Sequence, residues 1–177
     1  MISKLTTLSA FLAIISLSAA FQISTRDNDG VAVYLNTPTD PFVKIGDNYF
    51  FVESKREINW YDAFEACRQM NADLVAFKDL KEQKLVSQYL VGKKLIDNFW
   101  TSGTDFAKQD YFVWFSTGQP VATDLWCKGE PNNAGGIEHC VEFLSNVGLG
   151  LNDRNCSLPR GYICQAPQPK TVSFIVW

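Results

Sequence analysis

The sequence predicts an α+β domain, and the order of its hydrophobic patterns is the main reason. Two patterns with helical spacing lie between residues 59 and 90. After them come short aromatic and β-branched segments, separated by glycine, proline, asparagine and aspartate. Helical patterns followed by strand patterns favour an α+β fold over alternating βαβ units. With 177 residues, 46% of them hydrophobic, the chain is long enough to bury a core.

The first twenty residues have the pattern of a secretory signal peptide. Lys4 supplies the positive charge, an apolar run follows it, and Ser18 and Ala20 are the small residues expected before a cleavage site. A membrane anchor is the alternative, but this apolar run and every later one are shorter than the roughly 20 residues that a span needs. We therefore expect a secreted, extracellular protein whose polar leader covers residues 21–44.

The first predicted elements are a strand and a helix. The segment NYFFVES is rich in the aromatic and β-branched residues that strands favour. Behind it, Asn59 is a fair helix N-cap. Trp60, Ala63, Phe64 and Cys67 then fall on one face of the helix, so we expect Cys67 on its buried side.

A second helix and four further strands complete the predicted elements. Asp79 is the expected N-cap of the helix in DLKEQKLVSQYL, and Glu82, three residues later, completes a capping-box pattern. The expected strands lie in FWTSGTDF, YFVWFSTG, HCVEFLS and GYICQAP. Between the second and third of these, residues 116–138 carry little regular pattern. A loop of that length inside a compact domain is usually functional.

Charge and cysteine content restrict the partners of the chain. A net charge of −3 and a pI near 5.1 argue against nucleic acid as the main partner, because phosphate binding needs a basic surface. Secretion favours disulfides, and two disulfides among five cysteines allow fifteen pairings. No C-x-x-C spacing is present, which makes a zinc site improbable. The five are Cys67, Cys127, Cys140, Cys156 and Cys164.

Oxygen-bearing side chains are concentrated in KGEPNNAGGIEHC and again in GLNDRNC. Carboxylates and amide carbonyls are hard donors, and calcium takes about 6–8 of them in a flexible geometry. Several carboxylates in one place would repel each other unless a cation lay among them. Gly135 and Gly136 let the backbone fold back, so that Glu138 can face Glu130. The oxygen-bearing side chains are those of Glu130, Asn132, Asn133, Glu138, Asn152 and Asp153.

These residues resemble the C-type lectin domain. The motif W-x-x-G-E-P-N-N over 126–133, followed by Glu138, Cys140 and N-D-x-x-C over 152–156, carries the resemblance. WYDAFEACRQMNADLVAF is similar to the family's first helix and the strand after it, and GYICQ to its closing strand. The resemblance spans about residues 45–166, which leaves a tail over 167–177. It implies two helices, two small antiparallel sheets and a long calcium-binding loop, all stapled by disulfides.

The resemblance also implies how the cysteines and the oxygen donors are used. The disulfides would be Cys67–Cys164 and Cys140–Cys156, which leaves Cys127 over as an unpaired thiol or as a bridge to a second copy in a homo-oligomer. The Glu130–Pro131 peptide bond would be cis. The residues that bind both calcium and carbohydrate would be Glu130, Asn132, Glu138, Asn152 and Asp153.

A single calcium ion is expected. Some members of the family carry a second calcium site, with acidic residues near position 105 and just after the E-P-N and Glu138 positions. Here only Asp105 is acidic, and the other places hold Lys108, Asn133 and His139. The resemblance therefore implies one Ca²⁺ ion.

The implied function is calcium-dependent binding of glycans. Two adjacent hydroxyls of one sugar would complete the calcium coordination, and each could also bond to a carboxylate and an asparagine amide. The E-P-N triplet is similar to that of mannose-type members, so mannose- or fucose-type sugars are favoured and galactose is the alternative. In the family, small secreted lectins of this kind recognise microbial or cell-surface glycans in innate immunity.

Two other functions are weighed against this one. A calcium-independent protein-binding module could be built on the same fold. A glycosidase could use Glu130 and Glu138 as acid and base, but a shared calcium site would keep both carboxylates ionised, whereas such catalysis needs their pKa values to differ. We therefore expect a protein that is not an enzyme.

Overall fold

The computed structural model describes residues 40–95, 97–145 and 150–167. The expected signal peptide, most of the leader and nearly all of the tail lie outside these residues. All described residues belong to the unit Asn36–Pro169. Within them, no helix combines the length and the apolar character that crossing a membrane requires.

The described part of the chain contains two α-helices, α1 (Trp60–Gln69) and α2 (Leu80–Gly92). Single 3₁₀ turns lie at Thr123–Leu125 and Ala134–Gly136 inside the long loop. The strands are β1 (Val43–Ile45), β2 (Asn48–Ile58), β3 (Asp73–Leu74), β4 (Asn98–Thr104), β5 (Val113–Trp114), β6 (Cys140–Leu144), β7 (Gly150–Arg154) and β8 (Arg160–Gln165). Of these, β1 and β7 are not predicted by the sequence patterns, and β3 lies where the resemblance implies a strand after the first helix.

Helix α1 begins where the sequence predicts. The side chain of Asn59 caps it by accepting a 2.9 Å hydrogen bond from the backbone N–H of Asp62. Trp60, Ala63 and Cys67 are buried, as the helical spacing predicts. The indole N–H of Trp60 donates to the carbonyl of Thr101 at 2.7 Å, which fixes the helix against β4.

Helix α2 also has the predicted cap, with one difference in the reciprocal bond. Asp79 accepts from the backbone N–H of Glu82 at 2.9 Å. In return, Glu82 accepts at 2.8 Å from the backbone N–H of Lys78, the residue before the cap. The side chain of Asn48 also donates to Glu82, so this carboxylate joins the start of α2 to the start of β2.

The strands form one mixed sheet in the order β1-β2-β8-β4-β6-β7, with β3 paired to β8 and β5 to β4. Two small antiparallel sheets were expected. They are joined because β8 inserts between β2 and β4 and pairs in parallel with β4, Phe99 facing Gly161 and Trp100 facing Tyr162. The remaining pairs are antiparallel. The α+β lectin-like fold is confirmed, with that difference in how its strands are connected.

Both disulfides that the resemblance implied are present. Cys67–Cys164 ties α1 to β8, and Cys140–Cys156 joins the start of β6 to the segment after β7. Trp100 is fully buried in the same core cluster as the four cysteines, whereas Leu151 is fully buried in the other core cluster. Cys140–Cys156 thus fastens the start of β6 to the segment that follows β7, next to the polar loop residues.

Close backbone approach makes Gly161 irreplaceable at the centre of the sheet. A Cβ atom there would lie 2.6 Å from the carbonyl oxygen of Glu53 and 2.9 Å from the ring of Phe99. We expect Gly161→Ala to lower the free energy of unfolding by about 1–3 kcal/mol, the usual range for overpacking. The measurement is the urea midpoint at unchanged m value.

Gly92→Ala is the matched control for that substitution. A Cβ atom at Gly92 would meet no atom within 4 Å. Because alanine favours a helix over glycine, we expect no loss of stability and a gain of up to about 1 kcal/mol. Equal midpoints for the two variants would refute the steric account of Gly161.

Candidate functional site

The polar residues singled out in the sequence meet where the long loop returns to β6 and β7. The segment before Glu130 is attached to β7, because the backbone N–H of Cys127 donates to the carbonyl of Leu151 at 2.9 Å. The backbone N–H of Glu130 then donates to the carbonyl of Cys127 at 3.1 Å. The Glu130–Pro131 bond that follows is cis, as the resemblance implied.

Asp153 holds the E-P-N-N segment to β7. Its carboxylate is fully buried and accepts two backbone hydrogen bonds, from the N–H of Asn132 at 3.0 Å and from the N–H of Asn133 at 2.7 Å. One carboxylate oxygen takes each amide. Bonds from backbone N–H groups to a charged carboxylate are stronger than neutral ones, so Asp153 fixes the position of this segment in the protein itself.

Glu138 closes the other end of the loop. Its side chain is almost fully buried and accepts from the backbone N–H of Ala134 at 2.9 Å. Its own backbone N–H donates to the side-chain oxygen of Asn133 at 3.1 Å. The guanidinium of Arg154 donates to the second carboxylate oxygen of Glu138 at 3.2 Å.

The return path between Glu130 and Glu138 depends on left-handed backbone. Asn133, Gly135 and Gly136 have φ values of 45°, 72° and 70°. Such angles cost little at glycine and are tolerated by asparagine. The two glycines therefore have the role that the sequence predicts for them, which is to reverse the chain and bring Glu138 back to the strands.

A buried ionic network lies behind Asn152. Glu142, 2% exposed, faces Asn152 across the β6–β7 ladder. Its carboxylate accepts from the amide of Asn152 at 2.9 Å and from Nε of Arg160 at 2.6 Å. Nε of Arg154 lies 3.8 Å from the same carboxylate. Asn152 is therefore oriented by a glutamate that is itself held by arginine.

Sequence reasoning missed the parts that Glu142, Arg154 and Arg160 play. From the sequence alone, an arginine in a polar segment such as GLNDRNC is expected to be solvated. The one available signal was Glu142, a charged residue inside the predicted strand HCVEFLS, where a buried position without a partner would be costly. The identity of that partner could not be read from the sequence.

Glu130 is the residue of this group that the protein leaves unsatisfied. Its Oε2 atom is buried and accepts no hydrogen bond from the described residues. Burial raises the pKa of Glu130 above its ordinary value, and a hydrogen bond with Asp153 and the charges of Asp153 and Glu138 raise that pKa further, against a lowering contribution from Asn132. Glu130 thus lies near two other carboxylates, and no described residue donates a hydrogen bond to its buried oxygen.

The predicted donors do not form a cage of acidic side chains. Among the described residues, no three histidine, cysteine, aspartate or glutamate side chains are grouped so that they could hold a metal ion. The loop and β7 instead contribute carboxylates and asparagine amides.

Asp105 and His139, which adjoin the position of a second family site, contact each other. Asp105 is buried and contacts Nδ1 of His139 at 2.9 Å. It also accepts from the backbone N–H of Asp110 at 2.9 Å. This carboxylate is therefore engaged by protein groups, and the expectation of a single calcium ion stays a prediction.

Cys127 keeps its thiol in a half-buried position beside the site. Burial raises the pKa of Cys127, and the negative charges of Glu130 and Glu142 raise that pKa further. Its surroundings are tight, because a Cβ atom on Gly150 would lie 2.8 Å from the backbone nitrogen of Cys127. A raised pKa lowers the thiolate fraction, which is the reactive form of cysteine.

Residues 56–166 match the family model described as "Lectin C-type domain". "C-type lectin 37Da" of Drosophila melanogaster is 34% identical over an alignment of length 178. The alignment covers 94% of this chain and 95% of that protein. Both matches extend over most of the chain, and both are to the same family.

Solved structures share the fold. The C-type lectin domain of murine dendritic cell inhibitory receptor 2, solved with an N-glycan, superposes with a TM-score of 0.64 at 24% identity, over 75% of this chain and 100% of that one. A calcium-independent type II antifreeze protein superposes with a TM-score of 0.61 at 21% identity, over 73% and 93%. At these identities the likeness shows the fold alone.

The role assigned to Asp153 can be tested without any metal. In Asp153→Asn, one of the two acceptor oxygens is replaced by an amide nitrogen and the charge is lost. We expect the backbone amides of Asn132 and Asn133 to exchange hydrogen at least about tenfold faster, as loss of a charged acceptor implies. The measurement is amide exchange followed by NMR in the presence of a chelator.

Asp73→Asn is the control for that experiment. The carboxylate of Asp73 pairs with Arg68 at the protein surface and bonds to no loop amide. Exchange at Asn132 and Asn133 should therefore match the wild type. If Asp153→Asn also leaves these two rates unchanged, Asp153 does not hold the loop.

Proposed function

Since this chain belongs to the C-type lectin domain family, we propose that it is a calcium-dependent lectin that binds glycans at the loop and β7. The observation that carries the proposal is the buried Oε2 atom of Glu130, which has no hydrogen-bond donor among the described residues; the carboxylates of Asp153 and Glu138 lie near Glu130. A cation bound at this place would offset the mutual repulsion of the carboxylates. At the level of the family, the relatives support a binding protein rather than an enzyme.

The donor set fits calcium. Three carboxylates and two amides are hard oxygen donors, the kind that calcium prefers over softer metals. The residues that would hold the ion are Glu130, Asn132, Glu138, Asn152 and Asp153. When bound, calcium would supply coordination positions for two neighbouring hydroxyl groups of one sugar.

The protein itself positions these side chains. Asp153 fixes the E-P-N-N segment, and the backbone N–H of Ala134 fixes Glu138. One amide N–H of Asn152 donates to Glu142, and the carbonyl oxygen of the same amide would be the ligand. Hydroxyl groups of the sugar would then donate to carboxylates and accept from the asparagine amides.

The E-P-N order supports mannose- or fucose-type sugars, and galactose is the second choice. The residues after it, NNAGGI, contain no aromatic ring that could stack on a sugar face. Ile137 is 55% exposed and is the large apolar side chain of this segment. Because a shallow site binds one sugar weakly, useful affinity would require several linked sites. Glycans of microbial or cell surfaces, met by a secreted protein in innate immunity, suit that requirement.

A calcium-independent protein-binding module is the alternative, and two observations favour it. Arg154 already neutralises Glu138 without a metal. The fold also occurs in the calcium-independent antifreeze protein. A glycosidase using Glu130 and Glu138 is less favoured, because the Glu138 side chain is only 6% exposed and is bonded to Arg154 and Ala134.

A homo-oligomer linked through Cys127 stays a proposal. The thiol is half-buried and its pKa is raised, so an intermolecular disulfide would form slowly. Non-reducing electrophoresis of the wild type and of Cys127→Ser tests it directly. A band of twice the mass that is absent from the variant is the expected sign of the linkage.

Retention on immobilised mannose tests the main proposal. We expect the wild type to be retained in calcium and released by a chelator. Glu130→Gln, which removes one charged donor, should weaken calcium-dependent retention at least about tenfold, because ligand charge sets calcium affinity. Glu65→Gln, on the exposed face of α1, should behave as the wild type. Retention that ignores the chelator would reject the lectin proposal, and release of cleaved sugar would favour the glycosidase.

Competition among free sugars tests the preferred ligand. We expect mannose and fucose to elute the retained protein at concentrations at which galactose does not, because the E-P-N order suits the first two. The measurement is the half-maximal eluting concentration of each sugar. Stronger elution by galactose would overturn the mannose-type assignment and leave calcium dependence standing.

A further inference from the structure

Arg154 lies between two buried glutamates at the edge of the proposed site. Its Nη1 atom is 3.2 Å from Glu138 and its Nε atom is 3.8 Å from Glu142. The side chains of these glutamates are 6% and 2% exposed, whereas that of Arg154 is 40% exposed. One guanidinium group therefore neutralises a proposed calcium ligand and, at longer range, the glutamate that orients Asn152.

The charges of this network balance around one divalent cation. Its carboxylates are those of Glu130, Glu138, Glu142 and Asp153, and its cations are Arg154 and Arg160. Four carboxylates against two guanidinium groups leave a net charge of −2. A Ca²⁺ ion would bring this to zero, whereas loss of Arg154 would leave −3.

We propose that Arg154 is a built-in counter-ion that keeps the site folded without calcium and sets how tightly calcium binds. This inference rests on the proposed function. Arg154 is a positioning residue, since it acts through Glu138 and Glu142. Arginine suits the place better than lysine, because its planar group presents several N–H donors in a fixed fork and can face two carboxylates at once.

The two effects of Arg154 have opposite consequences. Without metal, its charge offsets the repulsion among carboxylates and leaves neither buried glutamate without a cation. With metal, the same charge stands close to a ligand of the ion and opposes its binding. Arg154 should therefore raise the stability of the calcium-free protein and lower its affinity for calcium.

The experiment measures both effects in the whole chain. For Arg154→Gln, we expect the melting temperature in chelator to fall by at least about 3 °C. We expect the calcium dissociation constant, measured by titration calorimetry with calcium alone, to fall about three- to tenfold, because an extra net negative charge strengthens calcium binding. Arg154→Lys, which keeps the charge, should bind calcium within about twofold of the wild type.

Arg68→Gln is the matched control, because it removes the same charge from a surface pair with Asp73 and should change neither quantity. If Arg154→Gln does not fold in chelator, the stabilising half is supported, and Arg154→Lys then tests the affinity half. Calcium binding by Arg154→Gln that is no tighter than that of the wild type would overturn the inference alone. So would a dissociation constant for Arg154→Lys as low as that expected for the glutamine variant. A wild type that binds no calcium would overturn the proposed function as well.

Discussion

The buried carboxylate of Asp153 is the interaction on which the site depends. The loop over residues 116–138 has only two short 3₁₀ turns of its own, so its backbone groups need partners elsewhere. Asp153 accepts two of them, from Asn132 and Asn133, and it lies in β7, a strand fixed by pairing with β6. These two bonds fix the irregular loop segment relative to β7. The proposed ligands on either side, Glu130 and Glu138, are placed by that attachment.

Local sequence signals were sufficient for the helices but not for all strands. Asn59 and Asp79 cap α1 and α2 through bonds to residues three positions away, so a short stretch contains the whole signal. Strand β7 reads GLNDR, which is polar and turn-like by composition. It is a strand because β6 pairs with it residue by residue. Non-local pairing of this kind overrides local propensity, and the same holds for the parallel contact that joins the two expected sheets.

The residues of the site likewise fall into two groups, those that the local sequence predicts and those that depend on non-local pairing. The oxygen donors could be predicted, because carboxylate and amide side chains recur at short spacing around the two glycines. The contacts of the arginines could not be predicted. A charged residue is expected to be solvated by default, and its partner depends on the register in which the strands pair. Arg154 reaches Glu138 and Glu142 only because β7 pairs with β6 at Cys140–Arg154 and Glu142–Asn152. A one-residue slip would reverse the faces of these side chains.

A recognition site of this kind must satisfy two opposing requirements. The loop must be ordered before the ligand arrives, because ordering it on binding would cost binding free energy. Yet at least one donor must stay unsatisfied, or the ligand gains nothing. Different carboxylates meet these two requirements. Asp153 and Glu138 are engaged by backbone amides and Arg154, whereas the buried Oε2 atom of Glu130 has no hydrogen-bond donor in the part of the chain that the structure describes. Two ordered carboxylates and one unsatisfied carboxylate oxygen therefore lie close together in the proposed site.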